Sequence, residues 1–179
     1  SLPESKKLRD DEYQLVEGKW PTNYNEVVLE VDENNEITDY ALYSLGLLDQ
    51  DELVKNYQKI LNGEIDKISK TKLKSYSVDD ILNLKFRLVL NSDLYQKVNG
   101  LWINQSENES YMKDVVSKSP EIKVVGIIKP SESTVSQPTM GGVYYTKAME
   151  EYVTSKTENA QIVKEQKTNP NINIFTQTE

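Results

Sequence analysis

The sequence predicts an α+β fold, a mixed and largely antiparallel sheet flanked by helices, with a second small lobe over residues 49–82. Three observations carry this. Short apolar runs such as Val27-Val28-Leu29 and Val124-Val125-Gly126-Ile127-Ile128 have the length and β-branching of strands. Helical stretches opened by capping residues separate these runs. Strand pairs beside long helical excursions favour segregated α+β over a doubly wound sheet. With 179 residues, the chain suits one domain with a sizeable core. Residues 12–176 read as that domain, residues 1–11 as a loose polar edge and 177–179 as a short tail. Both ends look cut, so the sequence reads as a piece of a longer protein.

Along the chain, residues 12–17 alternate, with Tyr13 and Leu15 on one face of a half-buried strand. Gly18 supplies the turn, and Pro21 biases Trp20 towards extended backbone. Trp20 reads as a plug over the strand pair. Residues 26–31 form a second strand with Val27, Leu29 and Val31 on its inner side. Thr38 caps a helix that Gly46 ends, and Asp49 caps a longer one stopped by Asn62-Gly63. Residues 65–75 are a lysine-rich connector.

Ser77 with Asp80 opens a short helix, and residues 85–90 read as a strand with Phe86, Leu88 and Leu90 inward. Asn99-Gly100 is a turn pair before a strand at 101–103. Asn108 caps a helix whose apolar face is Tyr111, Met112, Val115 and Val116. Residues 121–128 are apolar on both faces, as a central strand is. Residues 130–142 form a loop before a strand at 143–145. Thr146 and Asn159 each open a helix, and residues 172–175 read as the last strand.

Composition excludes several chemistries. There is no Cys and no His, so disulfides, Cys/His zinc sites, thiol nucleophiles and histidine general bases are absent. A net charge of -8 disfavours nucleic acid as a partner. Residues 32–36 lack the alternating carboxylates and glycine of a calcium loop and read as a polar turn. No catalytic, cofactor-binding or metal-binding residue is expected. The 11 Tyr serve first as packing groups with a wet hydroxyl. Partner contact would fall on Lys67, Lys70, Lys72 and Lys74, and on Glu132 and Met140 in the 130–142 loop. Gly18, Trp20, Pro21, Gly126 and Pro130 are structural.

Five segments in order resemble the extracellular part of MacB-type, FtsX-like ABC transporter permeases, in the Firmicutes branch where ATPase and permease share one chain. They are Leu-Val-Glu-Gly-Lys-Trp-Pro-Thr-Asn-Tyr-Asn-Glu-Val-Val-Leu at 15–29, Asp-Tyr-Ala-Leu-Tyr-Ser-Leu-Gly-Leu at 39–47 and Lys-Phe-Arg-Leu-Val-Leu at 85–90. Ile-Lys-Val-Val-Gly-Ile-Ile-Lys-Pro at 122–130 and Gly-Gly-Val-Tyr-Tyr-Thr at 141–146 complete the set. The resemblance implies a non-catalytic domain on the outer face of the cell membrane, in a homodimeric transporter. It would couple cytoplasmic ATP hydrolysis to export or mechanotransmission, through contacts with the other domains of its permease and with a client peptide or protein. A free secreted binding or adhesion domain is the alternative, and a carboxylate-dependent hydrolase is a more distant one.

Overall fold

The computed structural model describes residues 1–32, 34–47, 58, 62–63, 76–131 and 141–178. Its elements, in chain order, are α1 (Lys6–Glu12), β1 (Tyr13–Gly18), β2 (Glu26–Glu30), α2 (Asp39–Ser44), α3 (Val78–Asn83) and β3 (Phe86–Arg87). A 3-10 turn (Asn91–Leu94), β4 (Tyr95–Val98), β5 (Leu101–Asn104), α4 (Glu109–Lys118), β6 (Glu121–Pro130), β7 (Gly142–Tyr145), α5 (Lys147–Asn159) and α6 (Gln161–Thr168) follow. The fold is α+β, a mixed sheet of mostly antiparallel strands with flanking helices and a small second sheet. The chain divides into two compact units: Ser1–Thr22, Glu26–Leu84 and Lys123–Thr146 form the first, and Asn23–Asn25, Lys85–Ile122 and Lys147–Glu179 the second.

The first unit is built on the strand order β1-β6-β2-β7. β6 is central, as its two apolar faces predict: it runs antiparallel to β1 and parallel to β2. Val27, Leu29, Val31, Ile127, Ala41, Leu42 and Ile81 are all buried. Each of the Val, Leu and Ile side chains contributes about 1.5–3 kcal/mol on leaving water. Leu2, Val28 and Ile128 form a further cluster, against which Tyr13, Leu15, Trp20, Val125 and Tyr144 pack. Thr38 caps α2 by accepting from the Ala41 N–H, and Ser77 with Asp80 forms a reciprocal capping box on α3. The polar turn forms as Asp32 Oδ1 accepts the N–H groups of Asn34 and Glu36.

Two expectations for this unit need correction. Residues 6–12 are helical rather than loose, and Leu2 is buried, its N–H bonded to the Tyr145 carbonyl at 2.9 Å. β2 is buried at every position, Glu26 and Glu30 included, because it is an inner strand and its second face, which carries Val28, is covered by Leu2, Trp20 and Tyr144. Its carboxylates are satisfied locally. Glu26 accepts from Lys19 Nζ at 2.7 Å, from the Thr22 N–H at 2.8 Å and from Thr22 Oγ1 at 3.2 Å. Glu30 accepts from the Tyr144 hydroxyl at 3.1 Å. A buried carboxylate without such donors would be strongly destabilising.

In the second unit, β3 pairs with the first residues of β6, Phe86 opposite Ile122. The strand expected over 85–90 is limited to two residues, after which Leu88 N–H bonds the Pro120 carbonyl at 3.0 Å. β4 and β5 form a hairpin closed by Asn99 and Gly100, both at positive φ (50° and 88°). Left-handed backbone at both turn positions is what Asn-Gly supplies. Asn108 caps α4 by accepting the Tyr111 N–H at 3.1 Å. Trp102, Ile162 and Ile174 form the core of this unit.

Two further corrections fall here. Asn159 ends α5 and donates to the Ser155 carbonyl at 2.9 Å, and the N-cap of α6 is Ala160, which offers no side-chain acceptor. Residues 172–175 form turns with one bridge, Asn173 to Thr178, rather than a strand. Among the described residues no helix is long and apolar enough to cross a membrane.

Candidate binding groove

The structure joins two of the structural motif residues directly. Gly18 and Gly126 face each other across β1 and β6. Gly18 has φ +77°, and a Cβ there would lie 2.2 Å from the Val125 carbonyl oxygen; one on Gly126 would lie 2.4 Å from the Lys19 carbonyl oxygen. Neither approach is open to a residue with a side chain. The corner that follows is fixed by Pro21, which is buried, and by Trp20, whose ring carries the Arg9 guanidinium 4.3 Å from its centroid. Pro130 ends β6 opposite Tyr13. These residues shape the sheet.

Lys67, Lys70, Lys72, Lys74, Glu132 and Met140, where partner contact was expected, lie outside the described residues.

A different feature stands out in the second unit, an open groove of about 610 Å³. Leu88, Leu90, Trp102, Pro120 and Ile162 supply its apolar lining. Asp93 of the 3-10 turn, with Tyr111, Asp114, Val115 and Lys118 of α4, line one part, and Tyr152, Lys156 and Asn159 of α5 another. The spacing of Tyr111, Val115 and Lys118 places them along one side of α4. This helix was expected to bury an apolar face. None of its residues is buried: Tyr111 and Val115 line the groove, while Met112 and Val116 line a separate shallow depression.

The polar groups of the groove are unequally engaged. Asp114 pairs with Lys118 at 2.6 Å, an exposed i,i+4 pair contributing only about 0.3–0.5 kcal/mol. Asp93 Oδ2 accepts the Leu90 N–H at 3.0 Å. The Tyr111 hydroxyl lies 2.9 Å from the Asp93 carbonyl oxygen and 3.0 Å from that of Tyr95. Desolvation raises its pKa above the ordinary tyrosine value, and the charges of Asp93 and Asp114 add to the rise. Lys156 has its ammonium 5.6 Å from the Tyr152 ring centroid and no carboxylate partner among the described residues. Tyr152 in turn stacks on Tyr24 at 4.5 Å.

Beside the groove, Glu165 ties α6 to the hairpin. Its carboxylate accepts from Lys97 Nζ at 2.9 Å, from Trp102 Nε1 at 2.8 Å and from Gln161 Nε2 at 2.9 Å. The Lys97 bond, then that from Trp102, lowers its pKa. Among the described residues no group of three acidic, His or Cys side chains could hold a metal ion.

The groove had only a partial signal in the sequence. Tyr111 and Val115 were visible as an apolar helix face, but nothing local says that such a face remains open. No family model, curated protein or solved structure matches the chain.

Proposed function

We propose that this chain is a non-catalytic binding and coupling domain, the extracellular part of a MacB-type, FtsX-like ABC transporter permease. In this reading it relays motion driven by cytoplasmic ATP hydrolysis and contacts a client peptide or protein outside the membrane, within a homodimeric transporter. One observation carries it. Four of the five resembling segments meet in a single unit: residues 15–29 provide β1, the corner and β2, residues 39–47 provide α2, and residues 122–130 and 141–146 provide most of β6 and β7. The glycines of the first and fourth segments pack backbone against backbone. Segments that resemble a family in order, and also pack together, support common architecture better than order alone.

The test is the reading frame that encodes the chain. Apolar stretches of about 20 residues on either side of residues 1–179, with an ATPase encoded in the same chain, are the expected result. A secretion leader with no such stretches overturns the proposal in favour of a secreted binding or adhesion domain. The hydrolase alternative would draw on Asp93 and Asp114 of the groove, yet each already accepts a donor in its own segment, Leu90 N–H and Lys118 Nζ.

A further inference from the structure

We propose that the groove of the second unit binds a short zwitterionic peptide, its ammonium directed to Asp93 and Asp114 and its carboxylate to Lys156. The assignment deepens the binding-domain reading given above. It starts from size. About 610 Å³ is within the range of small-ligand clefts, roughly 300–1,000 Å³. Two turns of a partner helix, a cylinder about 11 Å across and about 11 Å long, need roughly 1,000 Å³. The groove accommodates a few extended residues.

Charge narrows the ligand further. The 3-10 turn contributes Asp93 and α4 contributes Asp114 together with Lys118, its ion-pair partner, whereas α5 contributes Lys156, a cation that no described carboxylate neutralises. A purely anionic ligand would meet Asp93 and Asp114, and a purely cationic one would meet Lys156. A molecule with opposite charges at its two ends matches both, and complementary charge selects orientation more than it adds affinity. Between these groups the lining is apolar, from Leu88, Leu90 and Ile162, so apolar side chains on the ligand would be covered. Lys118 stays with Asp114 and leaves that carboxylate an oxygen free, because the ion pair uses only Oδ2.

The experiment is a titration of the 179-residue chain with trileucine, followed by amide chemical shifts. Expected are saturable shifts at residues 88–93, 111–118 and 152–162. N-terminal acetylation and C-terminal amidation of the peptide should each weaken binding about two- to fivefold, as the loss of one partly exposed ion pair does. Lys156→Gln should abolish the penalty for amidation while keeping that for acetylation. Asp93→Asn keeps an acceptor for the Leu90 N–H and should reduce the penalty for acetylation, of which Asp114 retains a part, while keeping that for amidation. The amide spectra of both variants show directly that they fold. Absence of shifts at millimolar trileucine overturns the proposal. So does equal binding of free and doubly capped peptide, which would mean apolar contact alone. Failure here leaves the transporter reading standing, because the flanking reading frame decides that separately.

Discussion

Replacing Gly126 by alanine should destabilise the first unit more than its single added methyl suggests. The new Cβ would sit 2.4 Å from the Lys19 carbonyl oxygen and 3.1 Å from that of Glu17. Ordinary contact begins near 3.4 Å, so one of two hydrogen-bonded strands must move by about 1 Å. The obstacles are backbone atoms, which cannot rotate away as a side-chain end can. Overpacking costs about 1–3 kcal/mol, and a backbone clash belongs at the upper end. At about 2–4 °C per kcal/mol for a chain of this size, the expected loss is roughly 6–12 °C in Tm. Gly46→Ala is the control in the same unit. Gly46 also has positive φ, +72°, but among the described residues a Cβ there meets nothing within 4 Å. It should cost only the conformational term, about 1 kcal/mol. Gly18→Ala combines positive φ with a 2.2 Å approach to Val125 and should be the most damaging of the three. Near-ultraviolet circular dichroism during heating reads all three. If Gly126→Ala melted no lower than Gly46→Ala, close packing of the β1 and β6 backbones would be refuted as the reason for glycine.

Other expectations follow from the buried polar groups. Glu26→Ala removes the acceptor for Lys19 and Thr22 inside the sheet and should cost about 1–3 kcal/mol by urea unfolding; an unchanged midpoint would show those bonds to be dispensable. Burial, then the hydrogen bond with Tyr13 and the charge of Glu30, raises the Tyr144 pKa, so above pH 10.0 the folded state holds a proton that the unfolded state loses. Stability should therefore fall as pH rises past 10.0, and Tyr144→Phe should reduce that slope. Glu165 has the opposite sign, because a lowered pKa gives stability that is present above the ordinary value of 4.5 and is lost as pH falls through the folded pKa. The acid limb of the unfolding curve should be shallower in Glu165→Gln than in the parent chain.

The sheet was legible in the sequence because its signals are local. β6 declared itself by apolar residues on both faces, the 99–100 turn by Asn-Gly, and α2, α3 and α4 by Thr38, Ser77 and Asn108 at their N-caps. What escaped depended on distant partners. Glu26 and Glu30 looked like the solvent side of an alternating strand, but that face of β2 also carries Val28 and is covered by Leu2, Trp20 and Tyr144. Leu2 looked like part of a loose tail because its contacts, Val28 and Ile128, are far along the chain. Residues 172–175 carried a strand-like composition but turn back on themselves, with Asn173 Oδ1 accepting the Phe175 N–H. The groove was hidden for a related reason. Periodicity finds an apolar helix face, but whether another element covers it is a property of the whole fold.

The division between sheet and groove bears on how such a domain could specialise. The resembling segments supply the first unit's strands and α2, where the Gly18–Gly126 contact admits almost no variation in shape. The groove takes only Leu88 and Leu90 from those segments. Its other named residues come from the 3-10 turn, β5, α4, α5 and α6, and from Pro120. Lys118 and Lys156 are on exposed helix surfaces where substitution costs little stability, usually within about 0.5 kcal/mol. Ligand preference could thus change through these positions while the sheet stays fixed. An exchange of Lys156 for a glutamate should leave the melting temperature close to that of the parent and invert the preference between free and amidated peptide termini. Loss of fold in that variant would contradict the separation of scaffold from site.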